Sequence, residues 1–360
     1  MSNSTPPPTA IAAALEKKVF GQTVAVRETA IAVAKHLADL RAGNLLLIGS
    51  SGTGKTTLLR AVEAFLAADD ELAGRATLIR VHANLLSEEA AGGRGGEAVL
   101  TRLLERARDQ LGDEASIDQL LARARHGIVF IDEIDKIRAK IDGRAHLPGI
   151  RGQEALLTLI ENESIPLALP ERWGGGSVTV DASKLLFVGA GAFETLYDAV
   201  YDRVTVGSDR GALQEVTVVD GGQLRREERF SLRDWLRSED LFEYGMTPQF
   251  LSRFESVVLL QDLDQERLLR ILLEGSESPL RRAEAYFASQ GVRLALSPAA
   301  AHRIAAEAAA QPRLGARAVA EVFRRVIRDH EFEPAAGATD GVVVIDLPEV
   351  EAALTPGGDS

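Results

Sequence analysis

Apolar residues along the chain follow two different periods. Between residues 10 and 40 they recur at helical spacing with an interruption at residues 19–22, which predicts two helices around a short break. Farther along, the continuous apolar run Leu45–Ile48 is typical of a strand buried on both faces. Further buried strands are predicted at Thr77–Val81, Ile128–Ile131, Leu185–Val188 and Val257–Leu260, with helical stretches between most of them. Strands that alternate with helices predict an α/β fold in which helices cover both faces of a parallel sheet.

The C-terminal part of the chain has a mostly helical pattern. Helical periodicity covers residues 265–289 and 316–331, and Ser297 followed by Pro298 is a typical helix start. A last short strand is predicted at residues 342–345. Residues 204–239 are the least regular and are expected to form a solvated surface insertion. We therefore predict a disordered N-terminus (1–9), a large α/β domain (10–260), a smaller, mainly helical domain (261–354) and a tail (355–360).

The amino-acid composition argues against several classes of protein and of binding site. The 360 residues are 46% apolar and 26% charged, an ordinary globular balance. The net charge of −12 opposes binding to nucleic acid and to anionic membrane surfaces. The chain contains no cysteine, which excludes disulfides and cysteine-based zinc sites. It shows no signal peptide and no apolar run of the ~20 residues that span a bilayer, so we expect a cytoplasmic protein.

Residues 49–56 read Gly-Ser-Ser-Gly-Thr-Gly-Lys-Thr and match the P-loop, or Walker A, pattern at every fixed position. They lie between a predicted strand and a predicted helix, as phosphate binding requires. In a P-loop, backbone N–H groups and the helix N-terminus bind phosphates, the lysine reaches the β- and γ-phosphates, and the hydroxyl ligates Mg²⁺. The sequence thus predicts ATP and Mg²⁺ as cofactors, with Thr56 as a Mg²⁺ ligand and Lys55 also catalytic. The nucleotide-binding residues are Ser51, Gly52, Thr53, Gly54, Lys55, Thr56 and Thr57.

The apolar run 128–131 ends in Asp132 and Glu133, the pattern of a Walker B motif. Asp132 would bind Mg²⁺, and Glu133 would activate the attacking water as general base. Two acids after a strand can equally be an ordinary helix N-terminus. The intact P-loop upstream favours the catalytic interpretation.

These motifs resemble those of the ClpX-type AAA+ unfoldases, over about residues 15 to 354. Residues 131–137 and 153–161 resemble the extended Walker B motif of that family and the helix after it. Val19, Phe20 and Gln22 lie in a segment that resembles the family's adenine-contacting box. The resemblance implies a P-loop AAA+ fold, a parallel sheet sandwiched by helices and followed by a helical lid, that hydrolyses ATP to ADP and phosphate.

Two arginines extend the resemblance. Residues 247–253 correspond to the family segment that ends in the arginine finger, which implies that role for Arg253. The triplet 315–317, Gly-Ala-Arg, implies that Arg317 is the sensor-2 arginine. A finger acts on the nucleotide of a neighbouring subunit, so the resemblance implies a homo-oligomeric ring, a hexamer. Taken alone, either arginine could be a surface ion pair worth about 0–1 kcal/mol.

The chain departs from the family in the parts that handle substrate. It has no cysteine, whereas the family carries a cysteine-based zinc domain at its N-terminus. Residues 92–95, Gly-Gly-Arg-Gly, replace the aromatic first pore loop. They either contact an acidic or nucleic-acid substrate through Arg94 or form a plain mobile loop. The second pore loop, 143–152, holds basic residues and no acid. The peptidase-docking Ile-Gly-Phe loop is missing between residues 201 and 239, so we expect no coupling to a ClpP-type peptidase.

Three smaller features complete the comparison with the family. Residues 189–193 contain no polar sensor-1 residue, as in ClpX-type sequences, so we assign none. Trp173 lies in the loop that recognises substrate in the family, and it either does so here or anchors a glycine-rich loop. The six histidines show no metal-ligand spacing and are interpreted as structural or surface residues.

The sequence therefore supports more than one function. The first is a ring ATPase that remodels or unfolds an unknown protein substrate without a peptidase. The second is an ATP-gated assembly or regulatory switch that does not thread substrate, which the missing pore aromatic favours. A nucleic-acid motor is a third, opposed by the net charge.

Overall fold

The computed structural model describes residues 5–91, 96–206, 215–220, 223–228 and 232–355. The helices are α1 (Pro8–Glu16), α2 (Thr23–Leu37), α3 (Lys55–Ala67), α4 (Asp70–Arg75), α5 (Ala83–Ala91), α6 (Glu97–Leu111), α7 (Ile117–Ala124), α8 (Leu147–Glu161), α9 (Glu194–Thr205), α10 (Leu232–Trp235), α11 (Ser238–Tyr244), α12 (Pro248–Leu251), α13 (Gln265–Glu274), α14 (Pro279–Ser289), α15 (Pro298–Ala309), α16 (Ala316–Phe332) and α17 (Leu347–Leu354). The strands are β1 (Asn44–Ile48), β2 (Thr77–His82), β3 (Gly127–Asp132), β4 (Lys140–Ile141), β5 (Arg144–Ala145), β6 (Ser164–Ala168), β7 (Ser177–Asp181), β8 (Leu186–Gly191), β9 (Glu215–Asp220), β10 (Gln223–Glu228), β11 (Phe254–Leu259), β12 (Arg293–Leu296) and β13 (Val342–Ile345).

The apolar runs of the first two thirds of the chain form one parallel sheet. Its five strands lie in the order β11-β1-β8-β3-β2, and every neighbouring pair is parallel. Each predicted strand is present, although β11 begins at Phe254, three residues before the predicted run. The predicted α/β fold with a parallel sheet is thus confirmed. Because all five strands point the same way, their carboxyl ends share one edge of the sheet.

The chain divides by contacts into two compact units. The first contains residue 5 and residues 31–48 and 66–259, and the second contains residues 6–30, 49–65 and 260–355. The second unit therefore includes the P-loop and the first helix, besides the C-terminal helices. The predicted domain boundary at residues 260 and 261 stays a prediction.

The core of the first unit covers one face of the sheet. Alternate residues of β2 and β3, such as Ile79, Val81 and Ile131, belong to one buried cluster with side chains of α6 and α8, such as Leu103 and Leu156. Since side chains alternate across a strand, the intervening residues of β2 and β3 point to the opposite face. Asp132 and Arg80 lie on that opposite face.

The core of the second unit is helical. Apolar side chains of α13 to α17 form its buried cluster, together with Leu294 of β12 and residues of β13, which pair as a parallel two-stranded sheet. The predicted start of α15 is confirmed, because the Ser297 hydroxyl accepts the N–H of Ala300 at 3.2 Å. One prediction was wrong here. The helical stretch 265–289 is broken at residues 275–278, where Ser278 caps α14 and Pro279 occupies its first turn.

The insertion at residues 204–239 is more regular than expected. It contains the end of α9, the antiparallel hairpin β9–β10, α10 and the start of α11, while residues 207–214, 221–222 and 229–231 lie outside the described ranges. Within the described ranges, no helix combines the length and apolarity needed to cross a bilayer.

Candidate nucleotide-binding site

The P-loop connects the end of β1 to the start of α3. Gly52 and Gly54 adopt φ values of 78° and 106°, which β-carbon-bearing residues rarely tolerate. The Lys55 ammonium donates hydrogen bonds to the carbonyls of Gly49 and, at 2.8 Å, Ser50. The N–H groups of the first turn of α3 have no preceding helical carbonyl to bind. A cation and backbone N–H donors are therefore gathered within one loop, which is the donor set that a phosphate requires.

Gln22 braces the P-loop from the N-terminal segment. Its side-chain amide is 4% exposed and donates to the carbonyls of Thr53 at 3.0 Å and Gln261 at 2.8 Å. The same side chain accepts the N–H of Gln261 at 2.9 Å. Gln22, one of the three residues predicted to contact adenine, thus has a structural role, because its side chain fixes the P-loop. Val19 and Phe20 are buried, and the Arg270 guanidinium lies 4.8 Å from the centre of the Phe20 ring.

The P-loop also touches the segment that carries Arg317. The N–H of Ala316 donates to the carbonyl of Gly52 at 3.1 Å. Gly315 has a φ of 53°, and a Cβ there would lie 2.8 Å from the Gly52 carbonyl oxygen. The backbone of the P-loop and the backbone before α16 can approach this closely because each has a glycine, Gly52 and Gly315, at the contact. Arg317 follows in the first turn of α16, with an exposed side chain.

The predicted Walker B acids lie at the carboxyl end of β3. Asp132 is 8% exposed, and its Oδ1 accepts the N–H of Glu133 at 2.9 Å. Its Oδ2 accepts a hydrogen bond from the guanidinium of Arg80 on β2. Glu133 is exposed and has a φ of 56°, a strained conformation for a residue with a side chain. Asp39, Asp142, Phe193 and Asp340 adopt similar φ values, so the backbone conformation alone does not test the predicted catalytic role of Glu133.

The Asp135 carboxylate occupies the space beside Gly191, at the end of β8. Asp135 is 5% exposed and its Oδ1 accepts the N–H of Ala192 at 3.2 Å. A Cβ at Gly191 would lie 2.5 Å from the same oxygen. Beside this contact, Phe193 packs against Tyr244, and burial raises the pKa of Tyr244 to about 12. Asp135 therefore ties the Walker B turn to β8 through the backbone.

Arg253 makes an ion pair with the last residue of α8. Its guanidinium lies 2.5 Å from Glu161 Oε1 through one terminal nitrogen and 2.8 Å through Nε. The Arg253 side chain is 41% exposed. Its backbone carbonyl accepts a hydrogen bond from Asn44 Nδ2, and Oδ1 of the same Asn44 side chain accepts the N–H of Phe187. The backbone of Arg253 is thereby fixed to the central sheet while its side chain faces solvent.

The expected substrate loops are described only in part. Residues 92–95, the predicted first pore loop, lie outside the described residues. The second, 143–152, consists of the turn of the β4–β5 hairpin and the first turns of α8. Trp173 is half-buried against the core of the first unit, and Arg172 lies 5.3 Å from its ring centre. This packing fits the anchoring role of Trp173 and does not test substrate recognition.

Sequence analysis missed a charged cluster at the amino end of the sheet. His36 is 3% exposed, its Nε2 lies 3.1 Å from the carbonyl oxygen of His126, and burial lowers the pKa of His36 to about 4. Asp39 pairs with Lys184 and lies 3.6 Å from His126 Nδ1. The hydrogen bond from Lys184 lowers the pKa of Asp39, and burial lowers that of His126. Because His36 is buried and the other members of the cluster pair with one another, we interpret this cluster as structural.

Arg80 and Glu161 were also missed. Each is an ordinary charged residue in a strand or at a helix end, and each acquires its partner only through the packing of the first unit. An arginine in the otherwise apolar run of β2, two residues from its end, was the signal that could have identified Arg80.

Comparisons with known proteins agree with the motifs. Residues 40–257 match the family model described as AAA domain (Cdc48 subfamily). A relative described as the ATP-dependent Clp protease ATP-binding subunit ClpX 3, from Methylococcus capsulatus, is 30% identical over 98% of this chain and 82% of its own length. ClpX proteins of Azotobacter vinelandii and Porphyromonas gingivalis are 28% and 27% identical over 88% and 94% of this chain, and 72% and 80% of their own lengths. The chain therefore belongs to the AAA+ family as a ClpX-type ATPase, an enzyme that hydrolyses ATP.

Proposed function

We propose that the chain forms a homo-oligomeric ring, a hexamer, that uses ATP hydrolysis to remodel or unfold a protein substrate without a ClpP-type peptidase. The main support is Arg253, the predicted arginine finger. Its backbone is fixed by Asn44 while its guanidinium is 41% exposed and held by the carboxylate of Glu161. An arginine presented in this way can reach the nucleotide of another subunit. We also propose a cytoplasmic location.

The donor groups of the P-loop fit the phosphates of a nucleoside triphosphate. Residues 51–57 supply backbone N–H donors, and the Lys55 ammonium would exchange its loop carbonyls for the β- and γ-phosphates. The Thr56 hydroxyl and the Asp132 carboxylate are the hard oxygen ligands that Mg²⁺ prefers. When bound, Mg²⁺ neutralises phosphate charge during transfer.

Each of the remaining predicted site residues has its own role in ATP binding or hydrolysis. Glu133 takes the proton of the attacking water as general base, and its strained, exposed conformation holds the carboxylate clear of the core. Arg253 stabilises charge on the nucleotide of a neighbouring subunit. Arg317, next to the Gly52–Gly315 contact, senses the nucleotide from the helical lid. Val19 and Phe20 border the adenine, and Gln22 keeps the loop in place.

A mixing experiment tests the ring directly. Arg253→Ala leaves a complete set of Walker residues in each subunit, and Glu133→Gln leaves a complete finger. Each variant alone is expected to lose at least about 100-fold in ATP turnover, since an arginine finger is worth ~10³–10⁵. Mixed rings should recover turnover, because a Glu133→Gln subunit supplies its intact finger to an Arg253→Ala neighbour that keeps the general base. Absence of recovery in mixtures of confirmed oligomeric mass would contradict a finger that acts between subunits.

The composition of residues 92–95 supports a second candidate function. These glycines and one arginine include no aromatic side chain to grip a polypeptide. The alternative is an ATP-gated assembly or regulatory switch, read by a partner protein. The double substitution Gly93→Tyr with Arg94→Val separates the two. Gained unfolding of a fluorescent test protein would show that the ring can thread, whereas unchanged behaviour with intact ATP turnover would favour the switch.

A further inference from the structure

Each carboxylate oxygen of Asp132 already has one hydrogen-bond partner within the first unit. Oδ1 accepts the N–H of Glu133, and Oδ2 accepts the guanidinium of Arg80. The Asp132 side chain is 11% exposed and that of Arg80 is 38% exposed. A carboxylate oxygen has lone pairs for more than one partner, so this pairing leaves room for a further ligand.

The pairing follows from the register of β2 and β3. Arg80 lies opposite Phe130, and His82 lies opposite Asp132, so Arg80 and Asp132 are diagonal neighbours on one face of the sheet. On the other face, Ile79 and Val81 are buried in the core. The long Arg80 side chain spans this diagonal from β2 to Asp132 on the neighbouring strand β3. The contact therefore depends on one residue type at one register position.

We propose that Arg80 is a positioning residue that competes with Mg²⁺ for Asp132 and thereby sets the magnesium concentration at which nucleotide binds. This inference rests on the proposed role of Asp132 in the Mg²⁺ shell. Without magnesium, the permanent positive charge of the guanidinium neutralises Asp132 and fixes its orientation. When magnesium is present, the same charge opposes the cation at the carboxylate, so binding must displace or weaken the ion pair.

The proposal predicts the direction of a charge change at position 80. Arg80→Gln removes the competing charge and keeps a polar side chain, so less Mg²⁺ is needed. The expected fall in the half-saturating Mg²⁺ concentration is about threefold to fivefold, the upper part of the range for a partly exposed ion pair. Arg80→Lys keeps the charge and should stay within about twofold of the parent protein.

The test measures binding rather than turnover. In a Glu133→Gln background, which cannot hydrolyse the ligand, a fluorescent ATP analogue is titrated at a series of Mg²⁺ concentrations. The matched control is Arg108→Gln, which removes another ion pair of the first unit, with Asp113 at 3.0 Å. Thermal unfolding of each variant without nucleotide separates a binding effect from loss of folded protein.

The outcomes separate this inference from the proposed function. A lower Mg²⁺ midpoint in Arg80→Gln, with Arg80→Lys and Arg108→Gln unchanged, supports the competition. An unchanged or higher midpoint in folded Arg80→Gln overturns it while leaving nucleotide binding intact. If the parent protein binds the analogue without any dependence on Mg²⁺, or does not bind it, both the inference and the assigned role of Asp132 fail.

Discussion

The two ends of β3 carry charged residues of similar kinds in very different surroundings. At the carboxyl end, Asp132 is held by Arg80 and Glu133 is exposed and strained. At the amino end, His126 joins His36 and Asp39, and His36 is almost completely buried. Residue type alone does not distinguish the two clusters. Strand direction does, since parallel sheets bind ligands beyond their carboxyl ends.

This comparison predicts that changes at the carboxyl end affect turnover, whereas changes at the amino end affect stability. The largest effect is expected for Glu133→Gln. Loss of the general base should lower ATP turnover by about 10²–10⁴-fold, while the unfolding temperature and nucleotide binding stay close to those of the wild type. Steady-state phosphate release measures the turnover, and thermal unfolding measures the unfolding temperature. Glu114→Gln, an exposed acid elsewhere in the same unit, is the control; a Glu133→Gln protein with more than a tenth of wild-type turnover would remove Glu133 from the mechanism.

The second effect is a pH dependence of stability from His36. Its folded-state pKa is about 4 against 6.5 in the unfolded chain, so between these values the unfolded state binds the extra proton. Stability is therefore complete above about pH 6.5 and falls as pH drops toward 4, by about 3 kcal/mol in all.

Urea unfolding between pH 7 and pH 4.5 measures this slope. His36→Leu should flatten it, and His302→Gln, at an exposed histidine, should not. A slope that persists unchanged in folded His36→Leu would assign the proton uptake to other groups.

A smaller effect is expected at Glu161, where a substitution should change both turnover and stability slightly. Glu161→Gln weakens the ion pair with Arg253, 2.5 Å long, and so frees the predicted finger. We expect a twofold to fivefold fall in turnover because the guanidinium is less well oriented, with stability changed by less than about 1 kcal/mol. Glu243→Gln, which breaks the exposed pair with Lys140, is the matched control and should leave turnover unchanged.

The smallest effect is expected at Lys184, in the amino-end cluster. Lys184→Gln removes the cation that pairs with Asp39, a carboxylate that is more than half exposed. Stability should fall by about 0.5–1 kcal/mol and turnover should not change. Lys35→Gln, which breaks the exposed pair with Glu255, gives the reference for a surface lysine. A turnover defect in Lys184→Gln of the size expected for Glu161→Gln would break the proposed separation of the two ends.

The sequence predicted the features that are continuous along the chain. The run Leu45–Ile48 and the P-loop after it form one local pattern, and both β1 and the start of α3 lie where that pattern places them. The break between α13 and α14 was missed although Gly275, Ser278 and Pro279 are typical of a helix end and a helix start. Apolar periodicity on both sides had outweighed these residues.

Contacts between distant strands could not be predicted in the same way. The pairing of Arg80 with Asp132 depends on the register of β2 against β3, which no local pattern specifies. The same holds for His36 and His126, which are 90 residues apart and meet because α2 ends near the start of β3. The hairpin β6–β7 was missed because its strands are half-exposed and contain no continuous apolar run like that of β1.

The contact between Gly52 and Gly315 has a mechanical consequence. Rotameric adjustments of side chains usually absorb small displacements between packed segments, but here one peptide group lies directly against another. The junction between the P-loop and the start of α16 is therefore stiff, without a compliant layer. A change of P-loop conformation would therefore act directly on the backbone at the start of the 17-residue helix α16, with no side chain between the two segments.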